Sequence, residues 1–154
     1  MDGTPDHRIL TSSVLFDKAT EIGGCLYFVP GSHKEGIVKP DVPEAELQAR
    51  IRRVAEHGEP MPVPPEKMAA LVGRYGEPVA VTGEPGTVVI FHVDMIHGAG
   101  HNMSIHYRWI LYIVFSAVSN RPQPVPRPRE DFQASRRAPA IVPSDAPTIL
   151  AAAG

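Results

Sequence analysis

Two long apolar runs, separated by a glycine-rich segment that carries a histidine, constrain this chain more than any other feature. Residues 87–91 read TVVIF and residues 109–118 read WILYIVFSAV, so each run is nearly continuous in apolar or aromatic residues. Runs of this length and composition predict β-strands that are covered on both faces. A glycine turn at residues 83–86 precedes the first run, and the His97-Gly98 step separates it from the second. The region therefore predicts two strands of a layered β protein.

Shorter apolar segments predict more strands. Residues 9–16, 25–29 and 79–81 are rich in apolar and β-branched side chains and are bounded by Gly or Pro turns. The segment between the second and third of these strands is different in character, because residues 37–78 read as a helical insertion. Several short strands with one helical insertion suit an antiparallel sandwich or jelly roll better than an alternating β-α-β fold.

Two helices are predicted within the insertion. The first covers residues 41–57, with Asp41 as its N-cap and Glu44 as the capping-box partner. The second follows the Pro64-Pro65 pair and ends at Gly73, since proline favours the first turn of a helix and glycine its end. The insertion is expected to form part of a lid.

Composition narrows the possible functions. The chain has 154 residues, a formal net charge of −2 and one cysteine, Cys25. These values predict one domain with no general attraction to nucleic acid or membrane, and a reducing, cytoplasmic location without disulfides. The arginines at positions 121, 127 and 129 lie among prolines without interleaved aromatic residues, so they predict a solvated tail.

His97 and Arg108 are the leading candidates for chemistry. His97 follows a predicted strand, and Gly98 and Gly100 leave room for a ligand to approach it. Arg108 begins an apolar strand, where a guanidinium either remains in water or forms a bidentate clamp on a carboxylate. Ser104 lies between them and is either a donor to the same carboxylate or an ordinary loop hydroxyl.

Two motifs carry a family resemblance. Residues 23–36 read GGCLYFVPGSHKEG, and residues 86–109 read GTVVIFHVDMIHGAGHNMSIHYRW. In this order they resemble the phytanoyl-CoA dioxygenase family over about residues 2–137. Residues 129–136, REDFQASR, resemble the C-terminal tail of its ectoine hydroxylase branch. The resemblance implies a double-stranded β-helix (jelly-roll or cupin-like) domain at residues 1–137, followed by an Ala/Pro-rich tail at residues 138–154.

The resemblance also implies an activity and a set of site residues. Members of this family are Fe(II)- and 2-oxoglutarate-dependent dioxygenases, which implies hydroxylation of a small metabolite with O₂. His97 matches the distal iron ligand, and Arg108 matches the residue that binds the far carboxylate of 2-oxoglutarate. Ser104 and Thr11 match hydroxyl positions that contact the same cosubstrate. Asn102 matches a residue that orders the loop after the distal histidine.

One departure from the family pattern bears on activity. The His-x-Asp pair that supplies the other two iron ligands would lie upstream of Met1, so the domain is expected to be incomplete at its N-terminus and poorly active alone. An alternative is a non-catalytic jelly-roll module that retains an anion site at Arg108. A further alternative is a local metal site at His92, Asp94 and His97, and His7 with Asp6 is a comparable option. His33 is interpreted as a structural residue of its turn.

Overall fold

The described part of the chain contains six strands and two helices. The computed structural model describes residues 4–57, 62–124, 140–142 and 145. The elements, in chain order, are β1 (Ile9–Leu15), β2 (Leu26–Phe28), α1 (Glu44–His57), α2 (Pro65–Tyr75), β3 (Val79–Val81), β4 (Val88–His92), β5 (His97–Ala99) and β6 (Ile110–Ser116). A 3₁₀ turn, Ser32–Glu35, follows β2. The mainly β fold with a helical insertion between the second and third strands is confirmed.

The strands form two three-stranded sheets. One has the order β4-β1-β6 and the other the order β3-β2-β5. β1 pairs antiparallel with β4, so that Thr11 lies opposite Phe91. β2 pairs antiparallel with both neighbours, and Phe28 lies opposite His97 on β5. Neighbours in each sheet are therefore distant in sequence, as expected for a jelly roll rather than a meander.

Side chains from both sheets meet in the core. Leu26 and Phe28 of β2 form a buried cluster with Phe91 of β4. The rings of Phe28 and Phe91 lie 4.7 Å apart at 59°, a tilted geometry that aromatic pairs favour. A second buried cluster contains Leu15, Ala19 and Cys25, whose thiol forms no disulfide. The two sheets are thus joined through these two buried clusters.

The helical insertion departs from the predicted boundaries at both helices. α1 begins at Glu44, and the Pro43 carbonyl accepts the first helical bonds, so the prediction of Asp41 as the N-cap was wrong. Asp41 instead accepts a hydrogen bond from Lys67 Nζ at 2.8 Å. α2 continues past Gly73 and ends at Tyr75, with the Gly76 N–H bonded to the Val72 carbonyl. In both cases the boundary lies where backbone hydrogen bonds of the helix begin or end, and not at the predicted cap residue.

β6 is less covered than its sequence predicts. Four consecutive side chains of β6 are exposed: Leu111, Tyr112, Ile113 and Val114. Because alternate residues of a strand face opposite sides, these side chains project from both faces. β6 lies at the end of the order β4-β1-β6, and among the described residues Ile110 packs against a buried cluster while the next four side chains are exposed. The apolar run was correctly predicted as a strand, but the inference of two covered faces was wrong.

The chain divides into two compact units. His7–Phe115 forms one, and Met1–Asp6 with Ser116–Gly154 forms the other. Within the second unit, the buried Asn120 side chain accepts a hydrogen bond from the Asp6 N–H and donates one to the Asp6 carbonyl, each at 3.0 Å. Arg127, Arg129, the segment 129–136 and most of the predicted tail at 138–154 lie outside the described residues. Among the residues described, no helix is both long and apolar enough to cross a membrane.

Candidate iron and 2-oxoglutarate site

The His97 ring is held in one orientation. His97 is the first residue of β5, whereas the sequence predicted it just past a strand. Its Nδ1 lies 2.8 Å from the Met95 carbonyl oxygen. A carbonyl oxygen only accepts hydrogen bonds, so the proton is on Nδ1 and the lone pair is on Nε2. Histidines that bind metals commonly donate their second ring N–H in this way, because the bond fixes both the tautomer and the ring orientation.

Two core aromatic residues support the same ring. Phe28 stacks on the His97 imidazole with centroids 5.6 Å apart at 22°, and Phe91 contacts it at 5.2 Å and 55°. Both phenylalanines are buried, while His97 itself is exposed. The imidazole is therefore fixed on its apolar side and open on its other side, which is the arrangement a metal ligand needs.

Thr11 lies on the His97 side of the first sheet. It pairs with Phe91, and residues directly opposite in an antiparallel pair project from the same face. Phe91 contacts the His97 ring, so Thr11 belongs to the same region. Strand alternation places Ser13 on the same face, and its hydroxyl is buried without a partner among the described residues. Ser13 was not predicted from the sequence as a site residue, although its spacing of two residues from Thr11 in a predicted strand indicates the same face.

Arg108 is half-buried, and one of its guanidinium nitrogens lacks a partner among the described residues. Its Nη1 is inaccessible to water, and no acceptor in the described part of the chain bonds to it. An unsatisfied buried donor costs roughly 1–3 kcal/mol, and more when the group is charged. A carboxylate would remove that cost and would match the planar guanidinium with two parallel bonds. Arg108 therefore fits the anion-binding role that the sequence suggested.

Ser104 takes part in a loop network. Its hydroxyl donates to Asn102 Oδ1 at 2.7 Å and accepts a bond from the His106 N–H at 3.2 Å. Asn102 Nδ2 donates to the His106 carbonyl at 2.8 Å, so Asn102 orders this loop. Ser104 also lines an open cavity of about 640 Å³ with Asp17 and Trp109, whereas His97 and Arg108 do not line it. The predicted contact of Ser104 with the cosubstrate stays a prediction.

The alternative metal site at His92, Asp94 and His97 is not assembled. The described residues contain no group of three His, Cys, Asp or Glu side chains arranged to hold a metal ion. Asp94 Oδ2 is 2.5 Å from Nδ1 of His7, and the His92 ring lies 5.6 Å from the ring of His33. The Nδ1 of His33, interpreted from the sequence as a structural residue of its turn, is buried and has no hydrogen-bond partner among the described residues.

Comparison with known proteins identifies the family of this chain. The model of the phytanoyl-CoA dioxygenase (PhyH) family matches residues 3–110. The chain is 36% identical to an ectoine dioxygenase of Sphingopyxis alaskensis, over 92% of this chain and 46% of that protein. It is 33% identical to an L-proline trans-4-hydroxylase of Streptomyces griseoviridis, over 94% of this chain and 52% of that protein. The chain thus spans about half the length of the curated relatives it matches.

Solved structures give the same likeness. The crystal structure of EctD from S. alaskensis with 2-oxoglutarate and 5-hydroxyectoine matches with a TM-score of 0.66 and 34% identity, over 90% of this chain and 43% of that chain. The structure of the same enzyme with bound Fe matches with a TM-score of 0.61 and 33% identity. These matches confirm the jelly-roll fold class. The two sequence motifs, the paired sheets and the extent of the family match together show that this chain belongs to the phytanoyl-CoA dioxygenase family.

Proposed function

We propose that this chain forms the cosubstrate-binding part of an Fe(II)- and 2-oxoglutarate-dependent dioxygenase that hydroxylates a small metabolite. The observation that carries the proposal is the fixed His97 ring, whose Nδ1 is bonded to the Met95 carbonyl and whose Nε2 is left to bind a metal. The relatives named for ectoine and L-proline support a small polar substrate. The free, buried Cys25 suits a cytoplasmic location.

Each proposed residue has a distinct task. His97 holds the iron through Nε2, and its phenylalanine support keeps the ring from rotating. Arg108 binds the far carboxylate of 2-oxoglutarate through its guanidinium, whose buried Nη1 lacks a partner among the described residues. Thr11 and Ser13 project from the same face of β1 and supply hydroxyls to the cosubstrate. Ser104 is proposed as a further hydroxyl contact once its bond to Asn102 is released.

The iron, when bound, supplies the activation of O₂ that couples oxidation of 2-oxoglutarate to hydroxylation of the substrate. A non-haem site of this class takes two histidines and one carboxylate. The described residues contain no group of three such side chains arranged to hold a metal ion, and we propose His97 as one of the ligands. We therefore expect residues 1–154 alone to bind Fe(II) weakly and to turn over little, and we propose that they still bind the cosubstrate.

Trp109 provides a direct test of the cosubstrate end. It is the only tryptophan of the chain and the immediate neighbour of Arg108. We expect 2-oxoglutarate to change its fluorescence saturably, and Arg108→Lys to weaken that binding at least tenfold because an ammonium cannot form the bidentate pair. Arg52→Lys, on the exposed face of α1, is the matched control and should change nothing. Equal affinity of the Arg108→Lys protein would refute the clamp.

A second candidate function follows because His97 is the only iron ligand that we propose among the described residues. A non-catalytic jelly-roll module would retain the anion site at Arg108 and need no metal. Such a module is compatible with the described residues, which contain no group of three side chains arranged to hold a metal ion. The two functions differ in their response to iron. Because weak Fe(II) binding is expected, the comparison uses a large excess of Fe(II) under anaerobic conditions; tighter 2-oxoglutarate binding there, abolished by His97→Ala, supports the oxygenase. Binding that is indifferent to Fe(II) and to His97→Ala supports the module.

A further inference from the structure

The loop that precedes His97 is anchored on two sides. Residues 93–96 connect β4 to β5, and the Val93 N–H bonds to the Ile9 carbonyl of β1 at 3.1 Å. On the other side, the Ile96 N–H bonds to Ser32 Oγ at 2.9 Å, and the Ile96 carbonyl accepts from Val29 at 3.0 Å. The Met95 carbonyl that orients His97 therefore lies between two sets of contacts. Displacement of either set would move the carbonyl.

A side-chain pair reinforces the first set of contacts. Asp94 Oδ2 and His7 Nδ1 are 2.5 Å apart, so the ring N–H donates a hydrogen bond to the carboxylate, and the charge of the acceptor strengthens such a bond. The Asp94 side chain is only 10% exposed and that of His7 30%. The hydrogen bond thus joins two residues that are 87 positions apart, and its carboxylate is largely shielded from water. A carboxylate with so little water around it depends on its partner, because a desolvated charge without a hydrogen bond is costly.

His92 completes the surroundings of this carboxylate. Its Nδ1 accepts a bond from the Asp94 N–H at 3.2 Å and lies 3.8 Å from Asp94 Oδ2. The Met95 N–H bonds to the His92 carbonyl at 2.9 Å. The backbone of residues 94 and 95 is thus tied to the end of β4. Because the Asp94 carboxylate and the Met95 carbonyl are one residue apart, they move together.

We propose that His7 and Asp94 form a positioning pair that holds the Met95 carbonyl in place and thereby fixes the tautomer and orientation of the His97 ring. The inference rests on the proposed function only in treating His97 as an iron ligand. Without the His7 N–H, the carboxylate turns toward water and draws residues 93–96 with it. The Met95 carbonyl then leaves His97 Nδ1, and the ring exchanges between its two tautomers.

Imidazole nitrogen spectra of the ¹⁵N-histidine-labelled 154-residue chain test the pair without any metal. The wild-type His97 ring should show one tautomer, protonated at Nδ1. His7→Ala and Asp94→Ala should both give an averaged His97 signal. Asp94→Asn retains an oxygen acceptor for His7 and should largely keep the wild-type signal. A single, unchanged His97 tautomer in both alanine variants would overturn the inference.

Two further proteins separate positioning from general loss of stability. Leu71→Ala removes a buried side chain of α2 and should destabilise the fold without changing the His97 tautomer. A change in that tautomer in the Leu71→Ala protein would overturn the specific role of the pair. The exchanged double variant His7→Asp/Asp94→His restores the hydrogen bond and should restore the tautomer. Its failure to do so, with a dispersed amide spectrum, would also count against the inference.

Titration with Co(II) connects the pair to the proposed iron site. Co(II) should broaden the His97 ring signal of the wild-type chain, and either alanine variant should require about tenfold more metal for the same effect, as is typical for residues that orient a ligand. Unchanged metal sensitivity of the alanine variants would overturn the role of the pair in metal binding. Absence of His97 broadening in the wild-type chain would instead refute the proposed function and leave the tautomer result intact.

Discussion

The His97 imidazole lies nearly parallel to the Phe28 ring, at 22° and 5.6 Å between centroids. The same phenylalanine packs against Phe91, so one buried ring connects the core to the candidate metal ligand. Stability and ligand orientation therefore depend on the same side chain. A change at Phe28 tests both properties at once.

Phe28→Leu should reduce the free energy of unfolding by roughly 1–2 kcal/mol, because the smaller side chain leaves a partial cavity beside Phe91. The His97 ring should lose its ring-current shift in the same protein. Urea unfolding and proton spectra measure the two effects. Phe16→Leu, at an exposed phenylalanine, is the matched control and should stay within about 0.5 kcal/mol of wild type.

Asn102→Ala should loosen the loop that carries Ser104. The substitution removes the acceptor of the Ser104 N–H and the donor to the His106 carbonyl. Each such bond contributes about 1 kcal/mol, so the Ser104 amide should exchange with solvent about fivefold to tenfold faster. Amide exchange read by NMR measures this. His101→Ala in the same loop should leave the rate as it is, and equal rates in both variants would contradict the ordering role of Asn102.

Gly24→Ala should be more damaging than Gly36→Ala. Both glycines have positive φ, 74° and 64°, which strains any other residue. A Cβ at Gly24 would lie 2.9 Å from the Gly100 carbonyl oxygen, whereas a Cβ at Gly36 would meet nothing within 4 Å. Gly36→Ala should therefore cost roughly 1 kcal/mol, from backbone strain alone. Thermal or urea unfolding should show a clearly larger loss for Gly24→Ala, and equal losses would show that the close approach is relieved.

The attachment of α2 to the 3₁₀ turn should depend on pH. Hydrogen bonds from Tyr75 and Arg74 lower the pKa of the Glu35 carboxyl, and the bond to Glu35 raises the pKa of the Tyr75 hydroxyl. The Glu35 contribution is present above the ordinary carboxyl pKa and is lost as pH falls through the lowered value. The Tyr75 contribution is present below the ordinary phenol pKa and is lost as pH rises through the raised value.

Amide protection of α2 across the pH range measures this attachment. Protection should be highest near neutrality and fall on both sides. Glu35→Gln should flatten the acid side, and Tyr75→Phe the alkaline side. Glu66→Gln, at the exposed start of α2, is the control and should leave both sides as in wild type. An acid limb that survives in Glu35→Gln would assign it to another group.

Features that depend on neighbouring residues were predicted from the sequence, whereas features that depend on distant residues were not. The strands now bounded as Ile9–Leu15, Val88–His92 and Ile110–Ser116 were predicted because their apolar runs are contiguous. β5 was missed because its three residues, HGA, carry no apolar run of their own and become a strand only by pairing with β2. The exposure of β6 was mispredicted for a similar reason, since burial depends on which other elements cover a strand.

The sequence by itself determined the mainly β composition, the family motifs and the choice of His97 and Arg108, because these depend on residue types at fixed spacings. Only the tertiary structure decided that Met95 orients the His97 ring, that the Ser13 hydroxyl is buried without a partner in the described part of the chain and that His7 bonds to Asp94. Those relationships depend on sheet register and on a loop packed between two elements. A hydrogen bond across 87 residues leaves no periodic trace along the chain, because its energy is realised only when the sheets bring both groups together.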